Sequence, residues 1–103
     1  MKRFSLTLLL ALSITTPSFA DANLAKTRNC MACHAVEKKL VGPSFKDVAN
    51  KYAGQDDAIN RLATKIMQGG GGVWGPVPMP ANPNVSSTEA KQLATWVLSF
   101  KRP

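Results

Sequence analysis

The sequence predicts an all-α domain of about four helices. Three stretches of the chain repeat their apolar residues at the three- and four-residue spacing of a helix. No stretch alternates apolar and polar residues strictly, as a half-buried strand would. A segment rich in Gly and Pro, 69–84, separates the last two helical patterns and predicts a long loop.

The first twenty residues predict a secretory signal peptide. Lys2 and Arg3 form its basic start, 4–14 its apolar run, and 18–20 place small residues at the two positions that a signal peptidase reads. The apolar run is about half of the ~20 residues that span a bilayer, so a retained anchor is not expected. We expect cleavage after Ala20, export to the periplasm and a single mature domain, 21–103.

The basic balance of the chain favours acidic partner proteins. The chain contains thirteen Lys and Arg and six Asp and Glu, which gives a formal net charge of +7. Loss of Lys2 and Arg3 with the signal peptide lowers this charge by two. Such a charge speeds encounter with acidic surfaces more than it tightens binding. Because the basic residues of the predicted mature chain are scattered, with only 38–39 and 101–102 adjacent, nucleic acid is not an expected partner.

The first two helices are short. Residues 22–29 are mostly good helix formers and lead into a cysteine motif. The second pattern, 44–52, follows Pro43, which suits a helix start, and ends before Gly54. Its apolar stripe consists of Phe45, Val48, Ala49 and Tyr52.

The third helix is expected to begin at Asp56 or Asp57, either of which can cap the free amides of a first turn. Gly69 ends it. Its apolar face consists of Ile59, Leu62, Ala63, Ile66 and Met67.

The fourth helix has the strongest start signal, because Ser86 and Glu89 form a capping box. Its face, predicted to be buried, consists of Leu93, Trp96, Val97 and Phe100.

The 69–84 loop contains four consecutive glycines and four prolines. Long irregular segments in small domains are usually either functional or disordered. Val73, Trp74, Val77 and Met79 supply apolar side chains that can anchor this one. We therefore interpret it as a loop wrapped around a bound group.

Residues 30–34 read C-x-x-C-H, the pattern of covalent c-type haem attachment. Thiols at Cys30 and Cys33 project from about one turn of chain and can add to two vinyl groups of a porphyrin, while His34 offers an imidazole to the iron. A thioredoxin-like disulfide would need a βαβ surround. A closed zinc site would need a further ligand beside Cys30, Cys33 and His34, but the chain has no second His and no second cysteine pair. A plain structural disulfide is the other alternative.

The candidates for a sixth iron ligand are Met31, Met67 and Met79. Met31 lies inside the attachment motif, which keeps it off the opposite face of the ring, and Met67 completes the apolar stripe of the third helix. Met79 lies between two prolines, which stiffen the backbone and remove amide donors. This favours Met79 as the ligand over a role as apolar filler.

Several segments together resemble the small monohaem class I cytochromes c of the cytochrome c-551 type. The resemblance covers the mature chain and implies a class I cytochrome c fold: about four helices and a long Gly/Pro-rich loop around one haem c. It implies two thioether bonds and His34 and Met79 as axial ligands. The segments that carry it are 30–35, 41–43, 46–49, 72–76, 78–80 and 96–99.

The resemblance also implies roles for residues around the ligands. The Pro43 carbonyl would accept a hydrogen bond from His34, the Trp74 indole would point at a haem propionate, and the Asn82 side chain would reach the Met79 sulfur. Lys65 stands where related proteins often carry Arg near a propionate, and it lacks the planar fork of Arg. The alternatives are a helix start at Pro43, packing at Trp74 and a turn at Asn82.

His/Met ligation leaves no open position on the iron, so the expected function is one-electron transfer rather than catalysis. The expected partners are a periplasmic or membrane-bound electron donor and a terminal reductase or oxidase. The mature protein itself is expected to be a monomer without a membrane anchor. A basic rim could orient them, although solvated surface charges are the alternative; it consists of Lys26, Arg28, Lys38 and Lys39.

Two other functions compete with electron transfer. A haem peroxidase or gas sensor would keep the sixth position open, and this chain lacks the distal acid–base pair that catalysis on peroxide needs. A dithiol redox protein would carry no haem. In a domain this small, a haem would also complete the core; we expect it to pack against Phe45, Ile59, Leu62, Leu93 and Trp96.

Overall fold

The computed structural model describes residues 7 and 19–101, and these form an all-α fold, as predicted. The four helices are α1 (Phe19–Thr27), α2 (Phe45–Tyr52), α3 (Ala58–Gln68) and α4 (Ser87–Leu98). The described residues contain no β-sheet; two isolated bridges join His34 to Lys39 and Gly70 to Met79. No helix in this part of the chain is both long and apolar enough to cross a bilayer.

Helix α1 is offset from the predicted 22–29. It begins two residues before the expected cleavage point after Ala20; the rest of the predicted signal peptide, apart from Thr7, lies outside the described residues. It ends at Thr27 because Asn29 adopts a left-handed conformation with φ 62°, which Asn tolerates better than most residues. Asn29 thereby starts a short 3-10 turn, Cys30–Ala32, that holds the first half of the cysteine motif.

Helix α2 follows the prediction closely. The Ser44 hydroxyl accepts a hydrogen bond from the Asp47 amide at 3.1 Å and caps the first turn, with Pro43 just before the cap. All four residues of the predicted apolar stripe are buried: Phe45, Val48, Ala49 and Tyr52.

Helix α3 differs from the prediction at its start. Asp57 has a left-handed conformation with φ 60° and does not cap the helix through its side chain; its carboxylate accepts a hydrogen bond from Asn60 Nδ2 at 2.7 Å instead. Ile59 is 41% exposed, because the first turn of α3 faces a shallow surface depression shared with Leu98 and Lys101 rather than the core. The buried part of the face begins at Leu62.

Helix α4 contacts each of the other three helices and forms the centre of the fold. Ala90 on α4 and Ala25 on α1 are both 0% exposed, so small side chains lie in the core where these helices pack. The predicted capping box is present: Ser86 Oγ accepts from the Glu89 amide at 3.1 Å, and Glu89 Oε1 accepts from the Ser86 amide at 3.0 Å. Glu89 Oε2 also accepts from Arg28 Nη2 at 2.9 Å.

This double use of Glu89 predicts an acid-sensitive contribution to stability. The Ser86 amide and the Arg28 guanidinium hold the pKa of the Glu89 carboxyl below its ordinary value of 4.5. A lowered folded-state pKa stabilises the protein above the unfolded-state pKa, and the benefit disappears as the pH falls through the folded-state pKa. Glu89→Gln is therefore expected to lower the free energy of unfolding at neutral pH.

Denaturant titrations of the haem-bearing protein measure this free energy. The difference in free energy of unfolding between wild type and Glu89→Gln should shrink as the pH falls. Asp47→Asn on the exposed surface of α2 is a control for the loss of one carboxylate. If the difference in free energy of unfolding between wild type and Glu89→Gln stayed constant with pH, the charge of the carboxylate would not be the cause of the stabilisation.

Candidate functional site

One large cavity is lined by all four helices and by the 69–84 loop. Its volume is about 1150 Å³, open solvent at the mouth included. The helices contribute mainly apolar side chains: Ala25, Phe45, Val48, Tyr52, Leu62, Ile66, Leu93, Trp96 and Val97. Ile59, which we expected to pack against a haem, does not line it.

Both cysteines of the motif lie at this cavity as free, half-buried thiols. The 3-10 turn brings them together: the amides of Cys33 and His34 both donate to the Cys30 carbonyl, at 3.3 and 3.0 Å. Burial raises the pKa of the Cys30 thiol above its ordinary value of 9.0, and the neighbouring Cys33 adds to the shift. Reactive dithiol sites instead have lowered thiol pKa values. The described residues also contain no strand of the βαβ surround that a thioredoxin-like site needs, which disfavours that alternative.

The His34 imidazole is oriented by the Pro43 carbonyl, which lies 2.7 Å from Nδ1. A carbonyl oxygen can only accept, so Nδ1 carries the proton and donates it. Nε2 is then the nitrogen with a free lone pair, on a residue that lines the cavity. This is the protonation state that a metal-binding histidine requires.

Phe45 and Gly42 also hold His34, a role that the sequence did not predict for either of them. Phe45 stacks on the imidazole, with ring centroids 5.1 Å apart and planes at 24°. Trp96 meets Phe45 edge-on at 5.4 Å and fixes it in turn. On another side the backbone of Gly42 passes so close that a β-carbon there would lie 2.5 Å from His34 Cε1. The position of Gly42 directly before Pro43 was the one available sequence signal.

Met79 lies on the loop and lines the same cavity. Its backbone pairs with Gly70 in both directions: the Gly70 amide donates to the Met79 carbonyl at 3.0 Å, and the Met79 amide donates to the Gly70 carbonyl at 2.8 Å. Gly69, with φ +72°, passes so close to this part of the loop that a β-carbon would lie 2.5 Å from the Met79 carbonyl oxygen. The base of the loop is thus clamped to the end of α3.

The other two methionines lie elsewhere. Met67 packs against the hydrophobic core and does not line the cavity, and Met31 is 36% exposed. Of the three candidates for an iron ligand, Met79 is the one at the cavity.

The remaining predicted residues lie at or near the cavity. Lys65 and Trp74 both line it. Asn82 does not; its Nδ2 donates to the Ile66 carbonyl at 2.8 Å, and its amide donates to the Met67 carbonyl at 3.1 Å. The last carbonyls of α3 have no partner within the helix and accept these two donors. The contact of the Asn82 side chain with the Met79 sulfur, which the resemblance implies, stays a prediction.

The predicted basic rim is narrower than expected. Lys26, Lys38 and Lys39 are exposed, but Arg28 is paired with Glu89 at 2.9 Å and is only partly exposed. Three of the four cations are therefore available at the surface near the motif.

The fold and this site define a haem-binding cytochrome, and the chain belongs to the cytochrome c family: the family model, Cytochrome c, matches residues 22–101. A cytochrome c-552 from Nitrosomonas europaea is 56% identical over 91 residues, 88% of each chain. A cytochrome c-551 from Pseudomonas aeruginosa is 50% identical over 105 residues, covering 98% of this chain and 100% of the relative.

Solved structures show the same similarity. The crystal structure of wild-type Nitrosomonas europaea cytochrome c552 matches with a TM-score of 0.76 at 59% identity, over 78% of this chain and 99% of that chain. The class 1 cytochrome MtoD from Sideroxydans lithotrophicus ES-1 matches with a TM-score of 0.70 at 33% identity, over 81% of this chain and 95% of that chain. The fold is therefore that of a class I cytochrome c.

Membership of this family makes the protein an electron carrier with covalently bound haem c, exchanging electrons with redox partners rather than acting as an enzyme. The residues present fit that group. The cavity combines two free thiols, an imidazole with an available nitrogen and a mostly apolar wall.

Proposed function

We propose that the chain is a periplasmic carrier of single electrons whose haem iron is bound by His34 and Met79 and whose haem is linked through Cys30 and Cys33. The observation that supports this most directly is that all four residues line one cavity, although Met79 lies far from the motif in sequence. The haem supplies a one-electron couple between ferric and ferrous iron. With two protein ligands on the iron, no position is open to a substrate.

The chain's own residues set the conditions for that couple. The Pro43 carbonyl holds the imidazole in the orientation that presents Nε2 and makes that nitrogen more basic. The Met79 thioether favours ferrous iron and raises the reduction potential. Apolar side chains of α2, α3 and α4 exclude water from the cavity, while Lys65 and Trp74 are proposed to lie by the haem propionates.

The signal-peptide pattern of 1–20 and the positive charge of the chain support export and docking. We propose that 1–20 is removed after Ala20 and that 21–103 works as a monomer. Lys26, Lys38 and Lys39 are exposed near the attachment motif in sequence and support docking to acidic partner surfaces.

A visible spectrum of the periplasmic fraction, with a pyridine haemochrome assay for two thioether bonds, tests location and attachment together. We expect a low-spin spectrum that carbon monoxide does not change, and a purified chain that starts at Asp21. A high-spin haem that binds carbon monoxide readily would contradict the proposed ligation. Recovery of the protein from the cytoplasm would contradict the proposed export.

The proposed role of Met79 as iron ligand can be tested by replacing it with Leu, which has a similar side-chain volume but no sulfur. Met79→Leu is expected to abolish the methionine–iron charge-transfer absorption of the ferric protein and to lower the reduction potential. Met67→Leu is the matched control, because Met67 packs in the core; it should keep the absorption and cost less than about 1.5 kcal/mol of stability. Unchanged charge-transfer absorption in Met79→Leu would exclude Met79 as the ligand.

A further inference from the structure

The tip of the cavity loop, residues 71–78, lacks the usual backbone restraints. The pairing of Gly70 with Met79 closes the base of the loop, but no hydrogen bond of the described residues involves 71–78. Gly72 and Gly75 have φ +88° and +115°, and the space beside each is open. Within the protein, packing and side-chain contacts therefore hold this segment.

Trp74 is the largest side chain of the segment and has contacts on two sides. It lines the cavity, yet it is 39% exposed. The ammonium group of Lys51 lies over its indole ring, with Nζ 5.5 Å from the ring centroid. Lys51 does not line the cavity, so it contacts the indole without being part of the cavity wall.

Lys51 is well placed to act as a fixed support for the loop. It lies in the last turn of α2, next to the buried Tyr52, and its carbonyl accepts a hydrogen bond from Gln55 Nε2 at 2.9 Å. The cation–π contact thus joins a rigid helix to a segment that lacks hydrogen bonds.

We propose that Lys51 is a positioning residue whose cation–π contact with Trp74 holds the 71–78 segment, and with it Met79, closed over the cavity. The role in holding Met79 on the iron rests on the ligation proposed above. Lys65 has a different place: its Nζ lies beside Gly70, at the base of the loop. Lys51 therefore contacts the tip of the loop, 71–78, whereas Lys65 lies at its base.

Hydrogen exchange of the haem-bearing protein tests loop closure directly. The Gly70 and Met79 amides exchange only when the loop base opens. Loss of a partly exposed cation–π contact is expected to speed their exchange about two- to fivefold in Lys51→Met. Amides inside α4 should keep their rates.

Three further variants identify the contact as the cause. Lys51→Arg keeps a cation that stacks on the indole and should retain wild-type exchange. Lys91→Met removes the same charge from an exposed site on α4 and should also have no effect. In a Trp74→Leu background, Lys51→Met should no longer accelerate exchange.

A second readout links loop closure to the ligand. Imidazole must displace Met79 to bind ferric iron, so its apparent affinity should rise by the same factor of about two to five in Lys51→Met. Wild-type exchange rates in Lys51→Met, or equal acceleration with and without Trp74, would overturn the proposal. Absence of methionine–iron absorption in the wild type would instead overturn the proposed ligation. The exchange experiment would still test whether the contact between Lys51 and Trp74 holds the loop closed.

Discussion

Replacing both Cys30 and Cys33 by alanine is expected to abolish cooperative folding. Twelve apolar residues are buried among the described residues, and five of them are alanine. The larger ones, such as Phe45, Leu62 and Leu93, line the cavity as well as the core. Without a covalently held haem these side chains lose their packing partners on one side, and a domain of this size has little other stabilisation.

The expected product is a chain with helical far-ultraviolet circular dichroism but no sharp thermal transition, because local helix signals persist when packing is lost. Differential scanning calorimetry of the double variant beside wild type measures this. Met31→Ala changes an exposed residue of the same motif and should melt cooperatively with haem attached. A compact double variant with a single sharp transition would contradict the expectation.

Gly42→Ala is expected to displace His34, the proposed proximal ligand. The added β-carbon would lie 2.5 Å from His34 Cε1 and 2.9 Å from Nδ1, so the imidazole must move and the bond to Pro43 must weaken. Overpacking of this kind costs about 1–3 kcal/mol, and weakening the part-buried hydrogen bond from His34 costs up to about 0.5–1.5 kcal/mol more. A weaker bond to Pro43 makes Nε2 less basic, which should raise the reduction potential.

Denaturant unfolding and potentiometry of the ferric and ferrous protein measure both effects. Gly54→Ala is the control: its φ of +73° makes alanine unfavourable there, but nothing lies within 4 Å of the added carbon. It should lose some stability and keep the wild-type potential. If Gly42→Ala matched wild type in both measurements, the close approach seen here would not constrain His34.

Much of the fold could be predicted because the deciding interactions are local. The α2 stripe and the Ser86–Glu89 capping box each depend on residues within eight positions of one another, and both are present. Of the predictions that were wrong, one depended on longer-range packing and the other on a choice between two local partners. Ile59 has the right spacing but lies where α3 faces a surface depression, and Asp57 turns its carboxylate to Asn60.

The sequence by itself determined the chemistry of the attachment motif. Covalent connectivity keeps Cys30, Cys33 and His34 within about one turn of chain, so their spacing is sufficient to predict a haem site. Only the tertiary structure decided how the proposed ligands, His34 and Met79, are held. Gly42 and Phe45 confine His34, the end of α3 clamps Met79, and Lys51 reaches Trp74 from another helix. These contacts join segments separated by loops, and the packing of the helices, rather than any local spacing, brings them together.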